Sequence, residues 1–403
     1  MLDWFAAHAR DLPWRRTRDP YAIWVSEIML QQTQVKTVIP FWNRWLRELP
    51  TIAAAAKADS AKLHKLWEGL GYYTRVRNLQ KAAQQIVNSS RSRGDEAQTK
   101  IGNRKLEIGN ELETPHVVSY KFPEKFEEVL ALPGIGRYTA GAICSIAFNQ
   151  PTPILDGNVI RVLTRLFGLA ENPKEKETNA RLWQLAEELV QEAHASRWGE
   201  RPREPDFERQ RHAAARGDAR PTNEQNCSHL NQSLMELGAL VCTPRNAQCL
   251  ICPVKKLCVA FKEGRVDELP NLGKRETATA RHFLAFAIEC GGKFLVQQRP
   301  AGAVNAHLWE FPNVEITGTK PDVESAFQKL FGAKPKAIQP LRTVKHSITR
   351  YRITLEAFSV SLAKRPAKTT GRWLAPAEFD SLAFSSAHKK LASAAAKSIL
   401  SGR

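Results

Sequence analysis

The chain has 403 residues, enough for two or three domains. Its 59 lysines and arginines exceed its 41 aspartates and glutamates, and the formal charge of +18 indicates a polyanionic partner, nucleic acid before an anionic membrane surface. No apolar run reaches the ~18 residues of a membrane span, and the N-terminus lacks the basic-then-apolar order of a signal peptide. We therefore expect a cytoplasmic, nucleoid-associated protein with reduced thiols, which excludes a disulfide framework.

The first 87 residues are predicted to be helical. Asp19 followed by Pro20 is typical of an N-cap with proline at the first helical position. The run that follows, Y-A-I-W-V-S-E-I-M-L-Q-Q-T-Q-V, has apolar residues at helical spacing.

Glu27 lies inside this apolar run. A glutamate on a helix is usually solvated, but the neighbours of Glu27 at helical spacing are Ile23, Leu30 and Gln31. Apolar surroundings raise the pKa of a carboxyl group and keep its proton available for transfer. Glu27 is therefore a candidate general acid.

Two polar segments interrupt the helical pattern. Residues 88–120 and 195–226 lack a clear apolar period, so we predict flexible insertions at both places. Helical periodicity returns between them, from Phe126 to about Ala193, and Cys144 is predicted to be a small core residue there.

The run L-P-G-I-G-R, residues 132–137, separates two of these helical segments. Gly134 and Gly136 can adopt backbone conformations closed to other residues. A tight turn there can aim N–H groups at a phosphate, helped by the positive end of a helix starting near Tyr138. Such a pair is more often a plain turn, but K-F-E-E-V-L-A-L-P-G-I-G-R-Y-T-A-G-A-I matches a helix-hairpin-helix DNA clamp throughout.

Asp156 follows in I-L-D-G-N-V-I-R-V, just before another helical run. As an isolated feature it indicates an N-cap. The order of hairpin, Gly/Pro-rich turn and aspartate is instead the signature of helix-hairpin-helix glycosylases. Breaking a glycosidic bond produces an oxocarbenium-like centre, which an adjacent carboxylate stabilises.

Four cysteines, Cys242, Cys249, Cys252 and Cys258, have the spacing C-x6-C-x2-C-x5-C. This compact, basic loop indicates a metal or cluster site. Tetrahedral zinc remains an alternative, although zinc sites more often combine two close C-x2-C pairs. The 6-2-5 spacing resembles the 4Fe-4S loop of the endonuclease III and adenine glycosylase superfamily.

The remainder of the chain changes in character. Residues 262–280 form a charged linker, and strand patterns then appear in H-F-L-A-F-A-I-E, K-F-L-V-Q-Q-R and Y-R-I-T-L-E-A-F-S-V, before an Ala-rich helix at about 386–400. We therefore predict an all-α domain over residues 1–261 and an α+β domain over 281–403.

Taken together, the motifs resemble A/G-specific adenine DNA glycosylases of the MutY family. The similarity covers about residues 1–260 outside the two insertions. It rests on the hairpin, the Asp156 run, the cysteine loop, P-W-R-R, V-S-E-I-M-L-Q-Q-T-Q-V and W-E-G-L-G-Y-Y-T-R-V-R-N-L. The strand-rich tail resembles that family's Nudix-like domain but lacks the Glu-rich metal box, so we expect no diphosphate hydrolysis.

The resemblance implies a monomeric enzyme that acts on duplex DNA with adenine opposite 8-oxoguanine or guanine, without a membrane partner, and that carries a 4Fe-4S cluster on its four cysteines. It implies roles for individual residues. Glu27 would protonate the flipped adenine and help activate water, and Asp156 would stabilise the sugar cation. By the same resemblance, Tyr138 and Asn158 would support that cation, and Trp14, Arg15 and Gln232 would line the adenine pocket. Gln32 and Tyr72 would insert into the base stack. Leu132, Gly134 and Gly136 would clamp the DNA backbone.

Two alternatives stay open. Endonuclease III-like lyases carry a Schiff-base lysine where this chain has Tyr138, and the Glu27 motif is foreign to them. A non-catalytic mismatch-binding protein would have lost a carboxylate, yet Glu27 and Asp156 are both present.

The chain departs from the family in the segment that recognises 8-oxoguanine, here called the lesion reader. The family reads 8-oxoguanine with a Phe-Ser-His segment, and the corresponding positions in V-K-H-S-I-T-R-Y-R-I are Ile348, Thr349 and Arg350. This difference concerns discrimination of the lesion and leaves the excision chemistry untouched.

Overall fold

The structure is a computed structural model that describes residues 1–101, 120–195, 225–273, 277–317, 322–332, 335, 337–348, 350–366 and 369–401. It divides into two compact units, one of Met1–Ala56 with Asn78–Lys274, the other of Lys57–Arg77 with Arg275–Arg403. Within the described ranges, no helix has the length and apolarity to cross a membrane.

The N-terminal two thirds of the chain are helical, as predicted. The helices are α1 Leu2–His8, α2 Pro20–Leu30, α3 Val35–Glu48, α4 Ile52–Lys57, α5 Ser60–Leu66, α6 Thr74–Ile101, α7 Phe126–Leu130, α8 Arg137–Phe148, α9 Gly157–Phe167, α10 Lys176–Ala195, α11 Asn226–Leu240 and α12 Val259–Lys262. Of these, α5 and the first turn of α6 belong to the second unit.

Helix α2 begins as the sequence predicts. The Asp19 side chain accepts a hydrogen bond from the Tyr21 N–H at 3.0 Å, and Pro20 occupies the first helical position. Every residue from Tyr21 to Met29 is buried, so this helix runs through the core rather than along the surface. Any polar side chain on α2 is therefore removed from water.

The hairpin between α7 and α8 is confirmed. Gly134 has φ of +78°, and a Cβ placed there would lie 2.6 Å from the Cβ of Asn78, so both conformation and space require glycine. The next helix starts at Arg137, one residue before the predicted start. The N–H groups in the first turn of α8 have no partner within the helix, and they lie at the end of the hairpin.

Part of the first predicted insertion is helical. Helix α6 continues to Ile101, so the helical segment predicted to end at residue 87 extends fourteen residues further. A polar sequence still forms helix where its residues have adequate intrinsic propensity, even without an apolar period. Residues 102–119 and 196–224 lie outside the described part of the chain. Cys144 is fully buried in α8, as expected.

The second unit contains a seven-stranded sheet. Its strands are β1 Thr279–Cys290, β2 Lys293–Gln298, β3 Trp309–Glu310, β4 Asn313–Ile316, β5 Ile338–Ile348, β6 Tyr351–Ser361 and β7 Arg372–Leu374. The order is β3-β2-β1-β6-β5, with β4 on β1 and β7 on β2. Only β1 and β6 pair in parallel among the described strands.

A helix packs on each face of this sheet. Helix α13, Val323–Phe331, contributes Phe327 to one core, and α14, Ser386–Ser401, contributes Leu391 to the other. The predicted strands β1, β2 and β6 and the C-terminal helix are confirmed, and with them an α+β fold. Strand β5 was not predicted because most of its side chains are at least partly exposed and it contains a proline.

Candidate active site

A cavity of about 590 Å³ in the first unit collects most of the predicted active-site residues. Those lining it are Trp14, Arg15, Glu27, Gln32, Tyr138, Asp156, Asn158 and Gln232. Helix α2 supplies Glu27, the first turn of α8 supplies Tyr138, and α11 supplies Gln232. A larger cavity of about 720 Å³ borders residues 85–90 and 121–132 but holds neither candidate carboxylate, so chemistry rather than size identifies the site.

Glu27 is buried in this cavity, with 5% of its surface exposed. Burial raises its pKa to about 7, and the nearby charge of Asp156 acts in the same direction. The Tyr138 hydroxyl donates a hydrogen bond to Glu27 Oε2 at 2.8 Å, which together with Arg15 limits the rise. A carboxyl group with such a pKa holds a transferable proton near neutral pH, as the apolar context of Glu27 predicted.

Asp156 caps helix α9. Its carboxylate accepts hydrogen bonds from the N–H of Asn158 at 3.0 Å and of Val159 at 2.7 Å, and from Asn158 Nδ2 at 3.0 Å. Burial raises the pKa of Asp156, and these three donors oppose the rise. The cap therefore fixes the carboxylate at the cavity wall, which is compatible with a role for Asp156 as a candidate catalytic residue.

The side chain of Asn158 is held in place by a hydrogen bond from Arg161. Arg161 donates to Asn158 Oδ1 at 2.8 Å and to the backbone oxygens of Gly238 and Cys242 at 2.8 and 2.7 Å. A Cβ on Gly238 would lie 2.7 Å from the Cβ of Asn158, so glycine permits the close approach of α11 to α9. The backbone at the first cysteine is thus linked to the cavity wall.

Sequence reasoning missed a buried ion pair network at the same cavity. Glu236 is fully buried and accepts from Arg10 N, Nε and Nη2 at 2.7–2.9 Å and from Arg15 Nη2 at 2.9 Å. These bonds outweigh burial and lower the pKa of Glu236 to about 2. The signal was available in N-Q-S-L-M-E-L-G, where Glu236 follows Gln232 by one helical turn.

Trp14 and Gln232 reach the cavity while packed in the core. Trp14 is buried at 7% exposure and meets the ring of Trp42 edge-on at 6.0 Å, and Gln232 donates to Ser228 Oγ at 3.0 Å. Met235 also lines the cavity, with its sulfur 3.4 Å from the Tyr138 hydroxyl. The cavity thus combines aromatic and apolar side chains with several charged and amide groups.

The two residues expected in the base stack share an unusual backbone conformation. Gln32, in the first unit, has φ of +56°, and Tyr72, in the second unit, has φ of +48°. Both side chains are exposed, Tyr72 at 42%. Non-glycine residues in the left-handed region cluster at functional sites, so the conformation agrees with a role at each position.

The predicted DNA-clamp residues do not line the cavity that contains Glu27 and Asp156. Leu132 is buried, whereas Gly134 and Gly136 are exposed at the turn. Arg137 lies over the Trp183 ring at 4.0 Å, which fixes the first turn of α8. This exposed turn with its N–H groups is the arrangement that a backbone phosphate requires.

The four cysteines lie in one loop, and none of them is joined in a disulfide. Burial and the charges of Cys242 and Cys258 raise the pKa of Cys249, and Arg165 donates to the Cys242 sulfur at 3.4 Å. Among the described residues, no three Cys, His, Asp or Glu side chains converge as ligands of a single metal ion. Four thiols in one loop are a donor set that either a tetrahedral zinc ion or a 4Fe-4S cluster can take.

The predicted reader segment is the turn between β5 and β6. Ile348 ends β5, and Arg350 is exposed, lying over the Tyr351 ring at 5.4 Å. Thr349 lies outside the described residues. Arg350 is thus exposed at the tip of the β5–β6 hairpin, where it is accessible to a ligand.

The fold and this site define a class of protein. Residues 25–188 match the family model of HhH-GPD superfamily base excision DNA repair proteins, and residues 284–394 match that of the NUDIX domain. The helical unit is thus that of a base excision repair glycosylase, followed by a Nudix-like α+β module.

Individual relatives narrow the class. The chain is 34% identical to the adenine DNA glycosylase of Rattus norvegicus, across 97% of this chain and 76% of that protein. Identity to the adenine DNA glycosylase of Homo sapiens is 31%, across 97% and 72%. For the adenine DNA glycosylase of Mus musculus it is 32%, across 97% and 76%. The chain belongs to the adenine DNA glycosylase family.

Proposed function

We propose that this protein hydrolyses the N-glycosidic bond of adenine mispaired with 8-oxoguanine or guanine in duplex DNA. The proposal rests on one cavity lined by both Glu27, whose pKa burial raises to about 7, and Asp156, whose carboxylate is held by three hydrogen-bond donors. Extruding the base costs a few kcal/mol, which Gln32 and Tyr72 offset by filling the gap.

The chemistry needs two carboxyl groups in opposite protonation states. The proton of Glu27 passes to the imidazole ring of adenine, and the C1′–N bond breaks with its electron pair moving to the base. Asp156 stabilises the cationic sugar that remains. Water then adds to C1′ and gives its proton to the Glu27 carboxylate, which restores the acid. The product is free adenine and an abasic site.

The reaction stops at the abasic site. A lyase needs an amine that forms a Schiff base, and Tyr138 stands at the position where the bifunctional relatives place it. Among the described residues that line the cavity there is no lysine. The Tyr138 hydroxyl is instead committed to Glu27. These observations favour a monofunctional glycosylase over a lyase.

A comparison of three duplexes tests the mispair preference. Adenine is placed opposite 8-oxoguanine, guanine or thymine, and single-turnover release of adenine is followed. We expect release from the first two duplexes and none from the third. Equal release from all three would refute the preference and leave only general adenine excision.

The rate should depend on pH in a bell shape. Because catalysis uses protonated Glu27, whose pKa is about 7, the single-turnover rate should fall about tenfold per pH unit above that value. Acidification should also slow the reaction, because it neutralises Asp156, whose pKa is raised by burial. The measurement is single-turnover release across pH 5–9, with duplex affinity measured at each pH. A rate that keeps rising above pH 8 would contradict the assignment of Glu27 as acid.

The cysteine loop is proposed to hold a 4Fe-4S cluster on Cys242, Cys249, Cys252 and Cys258. When bound, it supplies a structural cross-link that holds the basic loop for DNA docking, with no redox step in base excision. The Arg165 guanidinium beside Cys242 would offset part of the thiolate charge.

Metal analysis of anaerobically purified protein should therefore find iron and acid-labile sulfide, with broad visible absorbance. Cys252→Ser should lose both, whereas Cys290→Ser, at the end of β1, should retain both. Zinc in place of iron would show that the loop is a tetrahedral zinc site.

The hairpin tip is proposed as the lesion reader. Thr349 retains a hydroxyl that can donate or accept toward 8-oxoguanine, and Arg350 carries a permanent charge suited to phosphate. Thr349→Ala should narrow the affinity difference between 8-oxoguanine and guanine duplexes. Arg350→Ala should weaken both about equally and reduce the salt dependence of binding. If neither change alters either duplex, the reader lies elsewhere.

Duplex DNA is the macromolecular partner that this function requires. We propose a monomer acting in the cytoplasm on nucleoid DNA.

A further inference from the structure

The turn that presents Tyr72 is strained. Gly69, Gly71 and Tyr72 have φ values of 110°, 71° and 48°. Trp67 Nε1 donates to the Gly71 oxygen at 3.1 Å, and Arg75 Nη2 donates to the oxygens of Leu70 and Gly71 at 3.1 Å. A left-handed tyrosine persists only where its surroundings hold it, so the chain on both sides of the turn matters.

Glu68 lies directly before this turn and is almost fully enclosed, with 6% of its side chain exposed. Its Oε1 accepts from the Phe384 N–H at 3.1 Å, and its Oε2 accepts from Lys65 Nζ at 2.8 Å and Lys389 Nζ at 2.6 Å. Burial alone would raise the pKa of Glu68, but these donors outweigh it and keep the pKa below its usual value. Glu68 is thus a buried anion tied to three donors.

The C-terminal donors are rigidly placed. Phe384 is 1% exposed and packs on the rings of Phe311 and Phe379 at 6.2 and 5.9 Å. The Trp309 N–H of strand β3 donates to the Ala383 oxygen at 2.9 Å. Lys389 lies in the first turn of α14. Glu68 is therefore attached to the core of the sheet module, within the same compact unit.

We propose that Glu68 is a positioning residue, which anchors the 69–73 turn to the segment 384–389 and so holds Tyr72 ready to enter the base stack. The inference rests on the proposed role of Tyr72. It assigns to the C-terminal module a task distinct from reading the lesion, namely support of the residue that fills the gap. Two measurements separate the anchor from the role of Tyr72.

The first measurement is hydrogen–deuterium exchange of full-length protein, followed in peptides that cover residues 69–76. Lys389→Met and Glu68→Gln should speed exchange there by about tenfold while peptides from α2 and α9 stay unchanged. Lys389→Arg should keep the native protection of residues 69–76, because the arginine side chain can donate to the same Glu68 carboxylate. Lys390→Met is the matched control, since it removes the same charge from the next residue of α14. Unchanged exchange at 69–76 in Lys389→Met and Glu68→Gln would overturn the proposal.

The second measurement uses 2-aminopurine beside the mispair in a duplex with a non-hydrolysable adenosine, where unstacking raises its fluorescence. Lys389→Met should lower this signal in the native background and have no further effect in a Tyr72→Ala background. An equal drop in both backgrounds would show that Glu68 does not act through Tyr72 and would overturn the proposal. Tyr72→Ala could leave the fluorescence unchanged while Lys389→Met still speeds hydrogen exchange at 69–76. That result would support Glu68 as the anchor of the turn and would refute the stacking role of Tyr72.

Discussion

Replacing Glu27 with glutamine should slow adenine release by roughly 10²- to 10⁴-fold while affinity for the mispaired duplex is retained. The glutamine has nearly the same shape, and its carbonyl oxygen can still accept the bond that Tyr138 donates to Glu27. It has no acidic proton to give to the imidazole ring of adenine. Single-turnover release measured at saturating enzyme, beside a binding curve on the same duplex, checks the prediction.

The stability of this variant provides its control. The folded-state pKa of Glu27, about 7, exceeds its ordinary value of 4.5, so native Glu27 binds its proton more tightly than the unfolded chain does. Its contribution to stability is therefore present below pH 4.5 and lost as pH rises toward 7, by an amount on the order of 3 kcal/mol. At pH 8 the glutamine variant should unfold at a higher temperature than the native protein. A stable variant that still releases adenine at near-native rates would refute the role of Glu27.

Replacing Asp156 with asparagine should reduce the rate by roughly 10²- to 10³-fold with little loss of stability. Asparagine caps helices about as well as aspartate, so α9 keeps its first turn. The negative charge that faces the sugar cation is lost. The same single-turnover assay, combined with thermal unfolding, separates the two roles of Asp156.

Asp156→Ala is the matched comparison. It removes both the charge and the hydrogen bonds to Asn158 and Val159, so it should lose activity and about 1 kcal/mol of stability. If the asparagine variant kept full activity while the alanine variant lost it, Asp156 would serve only as a helix cap.

Motifs that resemble a known family implied that Glu27 and Asp156 act at one site, and both residues line the cavity. Glu27 and Asp156 are 129 positions apart, yet each lies in a motif with its own local signal, an apolar helix for one and a capped helix after a hairpin for the other. Local signals also predicted the N-cap at Asp19 and the strands β1, β2 and β6. These features depend on propensity and periodicity, which act over a few residues.

Contacts between distant segments were beyond such reasoning. The bonds from Arg10 and Arg15 to Glu236 join residues more than 200 positions apart, and nothing near Arg10 predicts a carboxylate partner. The grouping of 57–77 with the C-terminal segment likewise involves hydrogen bonds from Lys389 and Phe384 to Glu68, more than 300 positions away. The left-handed conformations of Gln32 and Tyr72 were also not predicted, because neither residue type favours them.

Analysis of the reaction product distinguishes adenine excision from strand cleavage and from binding alone. A duplex with one adenine opposite 8-oxoguanine is incubated with the protein, and its adenine strand is examined before and after alkali. A monofunctional adenine glycosylase should leave an intact strand that alkali then cleaves at the adenine position, which marks an abasic site. A strand already nicked before alkali would indicate a lyase, and a strand intact after alkali would indicate binding without chemistry. Either result would contradict a monofunctional adenine glycosylase.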